Sequence, residues 1–244
     1  MLSQQLIVTG GKMGFSVNEE NLDLRFDAFF KEELALPWLP WVGKHFSTSE
    51  HRTMLLGEST YLWNDTAELI ERAERDDHTR IVHQNHALNF GKGTKYVRNI
   101  ERAIFNKKHP TDTEKSQLWL SVAYHNLVLT AMKSIKHRPT EKDYGLGWDA
   151  CLPIIEKMGI SQVIIYGLER PKITALKSQL NTKGIAHDPK KSPQIDGKRS
   201  YTCIDIQYPS HTAKLVFIRH PSAFFSWKKW GAYLQQEISL PKAF

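Results

Sequence analysis

The sequence predicts an α/β fold: a three-layer α/β/α sandwich with a central, mostly parallel four-stranded sheet. Two observations lead to it. Four short apolar runs alternate with segments whose apolar residues recur at helical spacing, and that alternation favours parallel strands with helices on both faces. Each run also ends on glycine or on polar, chemically capable residues: Gly57, His125-Asn126, Gly167 and His220. A chain of 244 residues is long enough to bury a sizeable core around such a sheet.

The elements follow in order. Residues 1–20 are polar and glycine-rich and read as an arm. Residues 19–36 carry Leu22, Phe26, Phe29, Phe30 and Leu34 near one helical face. This gives an N-terminal arm and helix over 1–36 and a main domain over 37–244. Pro37 and Pro40 prevent a long regular element over 37–43. The strands are expected at 53–56, 118–125, 162–166 and 214–218, and helices at 148–157, 172–181 and 223–238. Residues 201–208 suit an extra strand, and 184–199, polar with lysines and prolines, a long loop or hairpin tip. No internal repeat is visible.

Composition narrows the function classes. Lys and Arg number 33 against 26 Asp and Glu, a formal charge of +7 that favours polyanionic partners. No apolar run suits a membrane span, and no secretory signal is expected at the start. Two distant cysteines, Cys151 and Cys203, are too few for an iron–sulfur cluster or a zinc site, so both are expected as small core residues in a reducing, cytoplasmic setting. No metal and no cofactor is expected. The His83-Gln84-Asn85-His86 spacing lacks a matched acidic or cysteine partner, and a polar loop or an insertion lining a pocket is preferred. Phe90 to Lys95 lacks the full phosphate-loop spacing, and Gly167-Leu168-Glu169-Arg170 is read as a turn.

In open α/β sheets, ligands bind beyond the carboxyl ends of the strands. Those ends carry Gly57-Glu58-Ser59-Thr60-Tyr61, Tyr124-His125-Asn126, Tyr166-Gly167 and His220-Pro221-Ser222, so an acid, an amide and an imidazole should converge at one rim. The order of these motifs, with Arg138-Pro139 after the second, resembles the uracil-DNA glycosylase superfamily from about residue 37 onward. Each motif alone is weak; all three in order, each at an expected strand end, are stronger.

The resemblance implies a DNA glycosylase that flips a nucleotide from double-stranded DNA, hydrolyses its N-glycosidic bond and leaves an abasic site. His220 matches the histidine that stabilises the departing base, although a capped core histidine at a helix start has the same local sequence. Asn126 matches the residue that reads the base, with His125 competing, since strand alternation points only one of the two into a pocket. Glu58 stands as in the subfamily whose motif reads Gly-Glu-Ala-Pro and is the candidate to orient the water; Ser59, at the place of the usual Asp, is the other. Tyr61 matches the tyrosine that closes the base pocket. Ser222 is expected as a helix N-cap and phosphate contact, Phe224 as the intercalating wedge, and Lys228, Lys229 and Arg138 as DNA contacts. Phe224 and the adjacent Phe225 suit burial in the last helix equally well. The expected substrate is uracil or another deaminated base, in repair, or a bulky modified cytosine of phage DNA, in defence. The alternative is a catalytically inactive DNA-binding protein of the same fold. A monomer is expected.

Overall fold

The computed structural model describes residues 16–62, 67–91, 94–134, 136–192, 201–222 and 224–239. Among these, strands β1 (Trp41–Val42), β2 (Thr53–Gly57), β3 (Ala123–Asn126), β4 (Gln162–Tyr166), β5 (His187–Ser192), β6 (Tyr201–Gln207) and β7 (Thr212–Ile218) form one sheet in the order β1-β3-β2-β4-β7-β6-β5. The centre, β3-β2-β4-β7, is parallel, and β1, β6 and β5 extend it antiparallel at the edges. The sheet therefore has seven strands where the sequence predicted four. Of the three additions, β6 is the extra strand expected over 201–208, and pattern hides the other two: β1 is two residues long after a proline-rich stretch, and β5, His-Asp-Pro-Lys-Lys-Ser, has no apolar alternation. Pro189 is tolerated because β5 is an edge strand, where a missing N–H costs no central ladder bond. Of the long loop or hairpin tip expected over 184–199, His187–Ser192 is strand β5 and residues 193–199 lie outside the described residues, as do most of the N-terminal arm, Ala223, and Lys92 and Gly93 of the loop that resembled a phosphate site.

The helices are α1 (Ala67–Glu74), α2 (His78–Ala87), α3 (Lys95–Phe105), α4 (Asp112–Ser121), α5 (Glu141–Lys157), α6 (Arg170–Thr182) and α7 (Trp227–Glu237). The strand expected at 118–125 divides between two elements. Thr111 and Glu114 form a capping box that starts α4, whose last turn takes residues 118–121, and only Ala123–Asn126 is strand. A short apolar run does not distinguish the two states. A second capping box, Thr140 with Asp143, starts α5 well before the expected residue 148. The last helix begins at Trp227 with Ser226 as its N-cap, later than the expected residue 223, because Phe224 has a left-handed backbone (φ 50°) that no helix admits. In place of one N-terminal helix stand two 3-10 turns, Glu19–Asn21 and Leu24–Phe26, and a short π-helix, Phe29–Glu33. Asn18 and Asp23 accept hydrogen bonds from the backbone of Glu20 and Arg25, which competes with an α-helical ladder. Phe29 and Phe30 still reach the core.

Strand alternation divides the apolar residues between the two faces. Met54, Leu56, Val163, Ile165 and Phe217 meet Trp148, Leu152 and Leu176 of α5 and α6. Leu55, Ile164, Tyr166, Val216 and Ile218 meet residues of α3, α4 and α7, including Ile100, Trp119 and Leu234. Cys151 is buried in the first cluster and Cys203 in the second, neither in a disulfide. No helix among the described residues is long and apolar enough to cross a membrane.

Helix α5 approaches the sheet where Leu127 follows β3. A Cβ at Gly147 would stand 1.9 Å from the Leu127 carbonyl oxygen, whereas a Cβ at Gly145 would meet nothing closer than Gln179 Nε2 at 3.9 Å. Two alanine substitutions in one helix should therefore differ in sign. Gly147→Ala is expected to lower unfolding free energy by about 1–3 kcal/mol through overpacking. Gly145→Ala is expected to raise it by about 0.5–1 kcal/mol through helix propensity. Urea denaturation of the two variants checks both.

Candidate active site

The carboxyl ends of the four parallel strands open into a cavity of about 630 Å³. Glu58 follows β2, Asn126 ends β3, Tyr166 ends β4 and His220 follows β7, and all four line it together with Ser59, Tyr61, Arg138 and Ser222. At about 4.8 Å per strand gap, the strand ends span about 14 Å.

Glu58 is buried and fully engaged. Its Oε1 accepts from Tyr144 Oη at 2.9 Å and Lys172 Nζ at 3.2 Å, and its Oε2 meets Arg138 Nη2 at 2.8 Å. Burial pushes its carboxyl up, but Lys172, the Tyr144 hydroxyl and Arg138 outweigh that and hold it below the usual carboxylate range. Lys172 has no solvent exposure and also donates to the Tyr166 carbonyl at 2.6 Å and to Glu169 Oε2 at 2.9 Å. Sequence reasoning missed Lys172: a lysine in the first turn of a helix reads as solvated, and only the close approach of α6 to the ends of β2 and β4 reveals its burial. Glu169, expected in a simple turn, is part of the same network.

Two elements fix Asn126. It stands opposite Gly57 in the β2–β3 register, its Nδ2 donates to Thr60 Oγ1 at 3.0 Å, and its Oδ1 accepts from Tyr124 Oη at 3.1 Å. A Cβ at residue 57 would stand 2.3 Å from that Oδ1, so glycine here leaves room for the amide. His125 is not among the lining residues. Alternation turns it to the opposite face, where it is fully buried, its ring pushed down to about 4 by burial and by Arg80, and neither ring nitrogen finds a partner among the described residues.

His220 Nδ1 lies 3.2 Å from the backbone nitrogen of Ser222 and 2.8 Å from its Oγ. A backbone N–H can only donate, so Nδ1 is an acceptor and Nε2 carries the proton of the neutral ring. Burial lowers the ring's basicity, partly opposed by Glu58, and keeps it neutral. Ser222 is thus tied to His220 rather than capping the last helix; Ser226 takes the cap.

The cavity's other wall comes from α2. His78, Asn85 and His86 line it, and His86 Nδ1 contacts Tyr96 Oη at 2.9 Å. The segment read as a polar loop or pocket insertion is therefore helical and does border the pocket. His83 stands behind, stacked on Tyr124 at 4.3 Å, and burial pushes its ring down to about 3. Among the described residues, no three side chains gather as metal ligands.

The other expected DNA contacts separate. Arg138, with a half-exposed side chain, directs its guanidinium to Glu58, Glu169 and the Tyr61 hydroxyl, so it belongs to the cavity network. Phe224 is 90% exposed, while Phe225 stacks on Trp230 with ring centroids 6.1 Å apart. Lys228 and Lys229 are exposed on the first turn of α7 and do not line the cavity.

Neither protein-family models nor curated proteins include a match to this chain.

Lys172→Met removes one partner of a buried ion pair, which typically costs about 3–5 kcal/mol. The pH dependence follows from Glu58. Its carboxyl is depressed in the folded protein, so it contributes stability above the unfolded value of about 4.3 that is lost as pH falls through the lower folded value. Lys172→Met should leave burial less opposed and raise that folded value. The stability gap between parent and variant is expected to be widest near neutrality and to narrow in acid, as read by urea denaturation across pH.

Proposed function

We propose that the chain is a DNA glycosylase, a hydrolase of N-glycosyl bonds acting on a nucleotide flipped out of double-stranded DNA. The observation that carries this reading is His220: a neutral imidazole whose Nδ1 is committed to Ser222, leaving Nε2–H as its donor, lining the same cavity as the Asn126 amide. Cleavage of the base–sugar bond sends the bonding electron pair to the departing base. A donor aimed at the oxygen where that charge collects contributes about 3–4 kcal/mol. Water adds its hydroxyl to the sugar carbon, and its proton ends on the released base, so the products are an abasic site and a free base.

Asn126 offers a donor and an acceptor to a pyrimidine edge. Ser59 is the better of the two candidates to hold the water. Its Oγ is buried on the cavity wall with no hydrogen-bond partner among the described residues, whereas both oxygens of Glu58 are engaged. Glu58 then acts as a fixed negative charge facing the sugar cation, moderated by Lys172 and Arg138. Tyr61 borders the base, Phe224 serves as the wedge that fills the emptied stack, and Lys228 and Lys229 meet phosphates. The resemblance to the uracil-DNA glycosylase superfamily, including its α/β/α sandwich, is part of this reading.

The cavity volume favours a large base. About 630 Å³ falls in the range of roughly 300–1,000 Å³ that encloses drug-sized ligands, far more than one pyrimidine ring needs. A bulky modified cytosine, as in phage DNA, fits better than uracil or another deaminated base. The alternative of a DNA binder without catalysis rests on Ser59 standing where the superfamily has Asp.

Incubation with duplexes carrying uracil, cytosine or enlarged cytosines, followed by mass spectrometry of the released bases, tests the proposal. His220→Ala should lower the single-turnover rate by roughly 10²–10³-fold with DNA affinity nearly intact. Asn126→Ala should blunt discrimination between target and normal bases. DNA retarded without any base release would leave the inactive binder standing. If folded His220→Ala cuts at the parental rate, the mechanism is wrong. Because the reactive imidazole is neutral, the rate should be flat above the ring's lowered pKa and fall below it. Duplex affinity should also drop steeply with added salt as phosphate contacts are screened, and a flat response would point to a small-molecule substrate.

A further inference from the structure

The cavity continues to a wall made by α1 and α2 that the proposed reaction does not use. Arg72, His78 and Thr79 line it, and each carries a buried polar atom with no hydrogen-bond partner among the described residues: Arg72 Nε, His78 Nε2 and Thr79 Oγ1. Buried polar atoms are almost always paired in folded proteins, so several unpaired ones on one cavity wall point to a ligand that completes them.

Their chemistry is mixed. Arg72 Nε–H only donates. His78 Nδ1 lies 3.1 Å from the Arg72 carbonyl oxygen, which only accepts, so Nδ1 carries the proton and Nε2 presents a lone pair. Burial keeps this ring neutral. The Thr79 hydroxyl both donates and accepts. A carboxylate would suit Arg72 but meet the lone pair of His78, and an ammonium group would be repelled by Arg72. A hydroxyl accepts from one and donates to the other. Ile81 and Val82, also on this wall, supply apolar surface for the carbon atoms of such a group.

We infer that Arg72, His78 and Thr79 form a specificity subsite for a neutral, hydroxyl-bearing substituent on the base held by Asn126. The inference rests on the base-excising reading of the site and names the class of base.

Equilibrium binding to two DNA duplexes, each named by its modified strand, tests it. Both carry one cytosine, substituted at C5 by a glucosylated hydroxymethyl group in one and by a methyl group in the other. A 2′-fluoro sugar at that nucleotide suppresses cleavage, so the unaltered protein can be used. The hydroxyl-bearing strand is expected to bind about tenfold tighter, as one buried hydrogen-bonded group typically gives. Thr79→Val and Arg72→Gln should each bring it down to the level of the methyl strand and leave methyl-strand binding unchanged. Circular dichroism and melting confirm that both variants are folded. Equal affinity of the parent for the two strands, binding to neither, or a preference that survives both substitutions overturns the subsite. Base release from the same strands without the fluorine is scored separately. No release with the preference intact removes the glycosylase reading and leaves the subsite standing.

Discussion

Glu58 and Lys172 are both withdrawn from water, and the cavity wall keeps its shape because they stay paired. Taking two charges out of water costs several kcal/mol each unless every remaining lone pair and proton finds a partner. Here the partners come from different elements: the Tyr166 carbonyl at the end of β4, the Tyr144 hydroxyl on α5, Glu169 before α6, and Arg138 in the loop ahead of α5. The pair therefore holds the β2 and β4 ends, α5 and α6 in one arrangement. Glycine 167 belongs to the same constraint. Its φ of +98° favours glycine, and a Cβ there would stand 2.1 Å from Glu169 Oε2 and 2.3 Å from Lys172 Nζ.

The network also fixes how charge is distributed around the cavity. Glu58 and Glu169 face Lys172 and Arg138, so two acids meet two bases and the wall is dipolar rather than strongly charged. In a site shielded from water, fixed dipoles of this kind act without reorganising. His220 adds a neutral donor instead of a further cation. A carboxylate with both oxygens engaged is a poor base but a good electrostatic wall, and this divides labour between Glu58 and the unpartnered Ser59 hydroxyl in the proposed reaction.

Legibility from sequence tracks locality. The ends of β2, β3, β4 and β7 were readable because a buried parallel strand is a short apolar run and its exit residue is polar or glycine. Glu58, Asn126 and His220 could be named for that reason. What escaped was non-local or competed with pattern. Lys172 looks like any first-turn lysine until α6 is seen against the β2 end. Residues 118–121 are as apolar as a strand, yet the Thr111–Glu114 capping box upstream assigns them to α4. Arg138 after the second motif gives no sign of the buried carboxylate it serves. The α1–α2 wall was legible only coarsely, as a segment suited to lining a pocket, since Arg72, His78 and Thr79 are separated from every motif and meet only at the cavity.

Phe224 shows how such constraints reach the surface. The loop between β7 and α7 is held at three places: Asn99 Nδ2 donates to the Pro221 carbonyl at 2.7 Å, Phe225 stacks on Trp230, and Ser226 caps α7. With its neighbour turned inward, Phe224 is turned out, in a left-handed conformation that costs a bulky residue on the order of 1–3 kcal/mol. Arg219 Nη1 fixes its carbonyl at 3.1 Å. An aromatic ring that is 90% exposed gains little from burial to offset that strain. The anchors around it maintain the conformation, and they also leave the ring two residues from Ser222 at the cavity wall. An exposed apolar ring on an anchored backbone is what the proposed reaction would use to fill the stack that a flipped nucleotide leaves.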